Sequence, residues 1–236
     1  MQKIYDLMAV ILNIDTSTDV CSTALTAEGD ILIHREDFTG RNHAALLSDF
    51  IKVCLDRAAE LGLKLDAVAV SMGPGSYTGL RIGLSEAKGL AYSLGIPLIG
   101  IDTLKLLAVS VMFSGAEIPE DALFAPMIDA RRMEVFTAVY NMALEPLLEP
   151  QPMVLDRDSY SDFTAKHPVL FFGNGSDKAK ELLSGKNAIF VDGIKPLAVD
   201  MLALSELAWS KKDFIDVAYS TPWYRKEFQT TTPKNR

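Results

Sequence analysis

Cysteine is almost absent: Cys21 and Cys54 are the only two in 236 residues, with no C-x-x-C spacing. That excludes a disulfide framework and a cysteine zinc site, and leaves both as small buried hydrophobes. Histidine is as scarce, and His34, His43 and His167 show no repeated helical spacing with carboxylates of the kind a metal site uses. Positive charge is in deficit, 23 Lys and Arg against 31 Asp and Glu for a net charge of -8. Such a chain repels polyphosphate, so any RNA role is expected to run through a partner. No apolar run approaches the ~20 residues of a membrane-spanning helix, which points to a soluble protein. The opening MQKIYDLMAVILNI carries Lys3 and Asp6 but no small-residue cleavage site, arguing against a signal peptide and for the cytoplasm.

What is present is a hydrophobic content of 49% in a chain long enough to enclose a core. Met1 to Leu7 match no periodic pattern and read as an optional extension, with Met8 an alternative start. Runs at Val10 to Ile14, Val20 to Ala27 and Ile31 to Phe38, separated by turn residues, predict an antiparallel three-strand meander. Helix and strand then alternate: helix His43 to Leu61, strand Ala67 to Met72, helix Thr78 to Leu94, strand Pro97 to Ile101, helix from Asp102. A second set follows with strands Phe124 to Asp129 and Met133 to Tyr140, a less regular extended piece Met153 to Leu155, and a short helix Ser159 to Ala165. It continues with strand Val169 to Phe172, helix Ser176 to Ser184, strand Ala188 to Val191 and helix Pro196 to Ser210. Two strand-first halves predict a duplicated α/β fold of actin-like or sugar-kinase-like type. The lobes are expected at 8–104 and 105–236, with the end of the chain packing back on the first lobe. The duplication reads as topological, without a residue-level repeat. The basic tail, Arg225, Lys226, Lys234 and Arg236 against Glu227, reads as a frayed, solvated terminus.

The sharpest local feature is Gly73-Pro74-Gly75-Ser76-Tyr77-Thr78-Gly79-Leu80-Arg81-Ile82-Gly83, a glycine turn that leaves a strand and opens a helix. Such a turn offers backbone amides to an anion, or is simply a tight connection. Its spelling fits none of three enzyme motifs. Gly75 and Gly79 enclose one residue too many for a dinucleotide fingerprint, although Asp102 ends the next strand. No Lys follows as a P-loop requires, and Ser76 lacks the flanking glycines of a nucleophile elbow. Gly79, Gly83 and Ala87, four apart, give the following helix a flat face that admits another helix. The preceding helix places Leu47, Ile51, Cys54, Leu55 and Ala58 on one stripe, widened by Leu46, Phe50 and Val53, which serves either an internal core or a partner surface. Asp15 and Asp129 each end the first strand of a lobe, where actin-like enzymes place an acid and a phosphate hairpin. Either acid also suits a turn cap, and neither hairpin contains the glycine that a close phosphate needs.

Several segments in order resemble the TsaB (YeaZ) family. They are Ile14-Asp15-Thr16-Ser17-Thr18, His43 with Leu46-Leu47, the glycine loop from Gly73, Ala87-Lys88-Gly89-Leu90-Ala91, Asp129-Ala130-Arg131-Arg132 with Glu134-Val135, Gly173-Asn174-Gly175 and Pro222-Trp223-Tyr224-Arg225. The resemblance spans nearly the whole chain from Met8. It implies an actin-like ASKHA fold (sugar kinase, HSP70, actin; ribonuclease H-like). It also implies a role in threonylcarbamoyladenosine synthesis on transfer RNA beside the catalytic subunit TsaD and the ATPase TsaE. Thr103 and Leu107 stand where TsaD carries its metal-binding histidine pair, and Asp129-Ala130-Arg131 where TsaD has a Ser-Gly-Gly-His hairpin. The resemblance therefore implies a non-catalytic scaffold with no cofactor of its own, ATP and metal being held by partner subunits. Transfer RNA is then reached only through the complex.

On this reading the interface with TsaD comprises Leu46, Leu47, Phe50, Ile51, Cys54, Gly79, Arg81, Ile82, Gly83 and Ala87, and a bulky residue at Gly83 is expected to abolish pairing. A homodimer through the same surface is expected when TsaD is absent. Asp15, Gly73, Gly75, Ser76 and Thr78 form a vestigial anion loop. The rival readings are an independent ATP-dependent kinase-like enzyme on the same fold, a metallopeptidase, and a nicotinamide-dependent oxidoreductase using the Gly73 loop and Asp102.

Overall fold

The computed structural model describes residues 9–40, 42–183 and 185–224. The expected N-terminal extension and the basic tail from Arg225 lie outside the described residues. Strands β1 (Ile11–Asp15), β2 (Cys21–Ala27) and β3 (Asp30–Asp37) form the meander. Helix α1 (His43–Glu60), β4 (Ala67–Gly73), α2 (Tyr77–Leu94) and β5 (Leu98–Asp102) follow, and then α3 (Thr103–Phe113). The second set is β6 (Leu123–Asp129), β7 (Glu134–Tyr140), β8 (Pro146–Val154), α4 (Ser161–Thr164), β9 (Val169–Phe172) and β10 (Ala188–Val191), closed by α5 (Leu202–Lys211).

The sheets run β3-β2-β1-β4-β5 and β10-β9-β6-β7-β8. Read from the other edge, the second repeats the first strand for strand. β1 and β6 each pair antiparallel with the next strand and parallel with the strand after the crossover. This is the two-lobed actin-like ASKHA architecture. The central strands are buried on both faces, so they read as near-continuous apolar runs rather than alternating ones. Leu12 and Ile14 of β1 face a core built with α1 and α2, while Ile11 faces a second core with Leu106 and Val109 of α3. Other residues of α3, Leu104, Leu107, Ala108 and Val111, join the core of the second sheet. From Leu106 to Val111 this helix, wedged between two sheets, is buried all round, which is why that stretch is almost wholly apolar. No helix among the described residues is long and apolar enough to cross a membrane.

The chain then returns to the first sheet. Ala198 N donates to Ser22 Oγ (2.9 Å), Ile215 N to Leu98 O (2.8 Å) and Trp223 N to Met72 O (2.7 Å).

In the second lobe one expected extended piece is too short and one expected helix is not formed. The extended piece at Met153 to Leu155 is the end of a nine-residue strand. Pro146, Pro150 and Pro152 mask it in the sequence, yet β8 is an edge strand that can forgo ladder donors. The helix expected over Ser176 to Ser184 is a single 3-10 turn, Asp177–Ala179. So short a piece gains little from helix propagation. It is held instead by Ser176 Oγ donating to Gly173 O (2.8 Å) and by Lys180 bridging Asp177 and Asp192 (2.8 and 2.6 Å).

Candidate functional site

The turns at the strand ends converge on a cleft of about 830 Å³ between the lobes, with Ser17, Thr78, Asp129, Arg131 and Asn174 in its wall. Asp15 does not reach it. Its side chain is fully buried, with Ser17 N donating to Oδ1 (3.3 Å) and Ser17 Oγ to Oδ2 (2.9 Å). Loss of solvation raises its pKa to about 6, opposed by the Ser71 and Ser17 hydroxyls and the Ser17 amide. The acid therefore caps its own turn.

The glycines of the Gly73 loop have a similarly local purpose. A Cβ on Gly75 would overlap the Ser17 carbonyl, one on Gly79 the Thr16 carbonyl, and one on Gly83 the Thr16 hydroxyl. Ser76 N donates to Ser17 O (2.6 Å) and Thr16 Oγ1 to Gly79 O (2.8 Å). Ser76 Oγ accepts from Gly79 N (3.2 Å) as the helix cap. The β1–β2 hairpin thus lies on the glycine face of α2. That corrects the expectation that a partner helix uses this face, because the chain's own hairpin already fills it. His43 Nε2–H donates to Thr18 O (3.0 Å) and ties α1 to the same hairpin.

Of the ten residues expected at an interface, Leu47, Ile51, Cys54, Gly79, Gly83 and Ala87 are buried against sheet and hairpin. Leu46, Phe50 and Ile82 are half-buried and Arg81 is exposed. What the two helices offer outward is a groove of about 820 Å³ along Tyr77, Arg81, Ile82, Glu86 and Leu90, with an edge of Ile51 in its wall. The Arg81 guanidinium sits over the Tyr77 ring (4.2 Å) and beside that of Tyr224 (5.9 Å), and Nε donates to the Tyr224 hydroxyl (2.8 Å). Both tyrosines fall in segments quoted for the resemblance, but neither is assigned a role from the sequence. The i, i+4 spacing of Tyr77 and Arg81 was a readable signal; Tyr224, 143 positions from Arg81, gave none.

The second lobe repeats the turn chemistry with different partners. Asp129 Oδ1 accepts from Arg131 N (3.1 Å) and pairs with Lys178, which also donates to Arg132 O (2.9 Å). Asn174 Oδ1 accepts from Asp129 N (2.9 Å). Arg131 (φ 71°) and Arg132 (φ 50°) are both left-handed, a hairpin geometry that usually falls to Asn or Gly. A residue-level repeat does exist, contrary to expectation. Gly73-Pro74-Gly75-Ser76 after β4 and Gly173-Asn174-Gly175-Ser176 after β9 occupy equivalent places, with Gly73 and Gly173 at φ 108° and 93°. Three matching residues, Gly-x-Gly-Ser, in differing surroundings are a short signal. Asp102, the acid wanted for a dinucleotide, accepts from Leu104 N (2.8 Å) and Lys105 N (3.1 Å) as the cap of α3. Among the described residues no group of three His, Cys, Asp or Glu converges as a metal site.

The fold and its paired strand-end turns define a class: residues 36–220 match the family model described as TsaD, tRNA N6-adenosine threonylcarbamoyltransferase. The chain is 33% identical over 177 residues to the tRNA threonylcarbamoyladenosine biosynthesis protein TsaB of Bacillus subtilis, covering 73% of this chain and 74% of that protein. It is 28% identical over 226 residues to the Escherichia coli protein of the same description, covering 91% and 93%. The solved structure of YeaZ from Pseudomonas aeruginosa superposes with a TM-score of 0.75 at 27% identity, covering 92% of this chain and all of that one. The chain belongs to the TsaB (YeaZ) family.

Proposed function

We propose that this chain is a non-catalytic scaffolding subunit in the synthesis of threonylcarbamoyladenosine on transfer RNA, and that it activates a TsaD-type catalytic subunit by binding it. The observation that carries this is the filled first-lobe turn. Asp15 is sealed from the cleft, and Gly75, Gly79 and Gly83 are occupied by the Thr16–Ser17 backbone and side chains. A phosphate at that turn would have to displace the chain's own carbonyls. The outward surface of the two long helices is the groove along α1 and α2, where Ile51, Ile82 and Leu90 among polar side chains suit a pair of amphipathic helices from a partner. In this reading TsaE is the third component, and ATP and metal are held by the partner subunits. Transfer RNA is met through the complex in the cytoplasm. The same groove seats a second copy when the partner is absent.

Reconstitution tests it. Threonylcarbamoyl transfer with TsaD and TsaE supplied should require this chain, while the chain alone should turn nothing over. Transfer at an unchanged rate in its absence would overturn the scaffold reading, and tight binding of magnesium-ATP to the isolated chain by calorimetry would favour a kinase-like enzyme.

A further inference from the structure

The groove has a polar end that the helix-docking reading does not use. Arg81 stands one turn into α2, exposed to solvent, and among the described residues no carboxylate lies within ion-pair distance of it. Several other cations among the described residues are already paired. Lys52 pairs with Asp56, Arg57 with Glu60, Lys178 with Asp129, Lys180 with Asp177 and Asp192, and Lys195 with Asp19. Lys88, on the same helix, is turned to the carbonyls of Ala218 and Ser220 (2.8 and 3.0 Å). An exposed arginine would ordinarily sample many rotamers. This one is held by two tyrosine rings and one hydrogen bond through Nε, so most of the entropy cost of ordering it is met before anything binds. Both terminal nitrogens remain as a planar fork, the geometry that takes a carboxylate through two parallel hydrogen bonds.

The surroundings favour an anion as well. The first turn of α2 contains no acidic residue, so its partial positive charge is uncompensated at the end where Arg81 stands. The other charge in the groove, Glu86, accepts from Ser48 Oγ on α1 (3.1 Å). The groove thus presents one ordered cation at the N-terminal end of α2 and apolar side chains, Ile82 and Leu90, beyond it.

We infer that Arg81, preset by Tyr77 and Tyr224, is the anchor that captures a carboxylate carried by an amphipathic helix of the partner subunit, and so sets the register in which that helix lies in the groove. A protein helix rather than RNA is the occupant. Beyond Arg81 the wall offers Ile82 and Leu90 beside Ser85, Glu86 and Ser93, an amphipathic lining with an acid rather than a second cation, and the net charge of -8 opposes a polyphosphate. The inference rests on the partner reading above.

The test measures affinity for the cognate TsaD-type subunit by calorimetry at 50 and 500 mM salt, for the wild-type chain and for Arg81→Gln, Arg81→Lys, Tyr224→Phe and Leu90→Asp. Arg81→Gln should weaken binding on the order of tenfold to a hundredfold and flatten its salt dependence. Arg81→Lys should recover only part of the loss, because a point charge cannot replace the fork. Tyr224→Phe should cost less than Arg81→Gln, and Leu90→Asp should abolish the complex. Since Arg81 is exposed, the thermal midpoint of Arg81→Gln should match wild type. Replacing the captured partner carboxylate with Arg should restore binding to Arg81→Glu. If Leu90→Asp breaks the complex while Arg81→Gln leaves affinity and salt slope intact, the anchor is overturned and the partner reading stands. No binding by the wild-type chain overturns both. Arg81-dependent retention of transfer RNA by the free chain, or Arg81-dependent self-association with unchanged partner affinity, would also overturn it.

Discussion

The two lobes share strand order, turn chemistry and a Gly-x-Gly-Ser loop, yet they use them in opposite ways. In the first lobe the loop opens an 18-residue helix whose glycine face receives the β1–β2 hairpin, and the acid at the strand end is sealed away without a cation. In the second the same loop opens one 3-10 turn, and the acid at the strand end is part-exposed and paired with Lys178. One lobe has turned its loop into packing and kept two long helices with an outward groove. The other kept an open turn with no long helix following its loop. The difference teaches that a duplicated fold can lose a ligand turn by filling it from within, and that the helices so braced become available as a docking face.

The sharpest way to break this comparison is to add one methyl group to the equivalent glycine of each lobe. Gly75→Ala drives Cβ into the Ser17 carbonyl, where nothing flexible can yield, and should destabilise the protein by more than about 3 kcal/mol in urea unfolding. Gly175→Ala meets Asp129 N, Ile128 C and Val135 Cγ1 at 3.0 Å, contacts a small shift relieves, and should cost about 1–2 kcal/mol. Equal costs would mean that the two loops are packed alike. The same logic disposes of a bulky residue at Gly83 as an interface test, because it would strike Thr16 and damage the fold before any partner was consulted.

The two acids differ in what their removal does. Asp15 titrates at about 6 in the fold against an ordinary 3.8. Between those values the folded chain holds a proton that the unfolded chain has released. Its contribution is therefore most favourable at low pH and is lost as pH rises toward 6, a difference of about 3 kcal/mol if burial acts in full. Asp15→Asn, which keeps an acceptor for Ser17 N, should raise stability at pH 7.5 by an amount approaching that figure and make little difference near pH 4. Urea midpoints across this range check it, and a variant less stable than wild type at pH 7.5 would show that the buried charge is wanted. Asp129→Asn removes only a half-exposed partner of Lys178 and should cost about 1 kcal/mol.

Much of this was legible because the first lobe obeys simple periods. Its strands and helices start within a residue or two of the expected places, since β-branched runs bounded by turn residues are local signals. The second lobe was read less well where tertiary context outweighs sequence. An edge position tolerates the prolines of β8, and hydrogen bonds from Ser176 and Lys180 hold a segment that propensity would have made helical. The site was legible in its parts but not in its directions. The stripe of Leu47, Ile51 and Cys54 was read as either core or interface, and only the sheet beneath it decides for core. The pairing of Arg81 with Tyr224 joins residues that no local pattern connects.

The smallest expected effect is the most useful control on the groove. Gly89 lies in the interior of α2 with nothing within 4 Å of an added Cβ, unlike the three glycines under the hairpin. A glycine in a helix interior costs about 0.5–1 kcal/mol relative to alanine through the freedom it gives the unfolded chain. Gly89→Ala should therefore stabilise the isolated protein by that amount in urea unfolding. Gly89 also lines the groove, so its methyl group would stand where the proposed partner helix comes closest. A variant that is more stable alone yet binds the partner less tightly locates the close approach on this face of α2. Unchanged affinity would move the contact off it, toward α1 and the exposed side of Leu46 and Phe50.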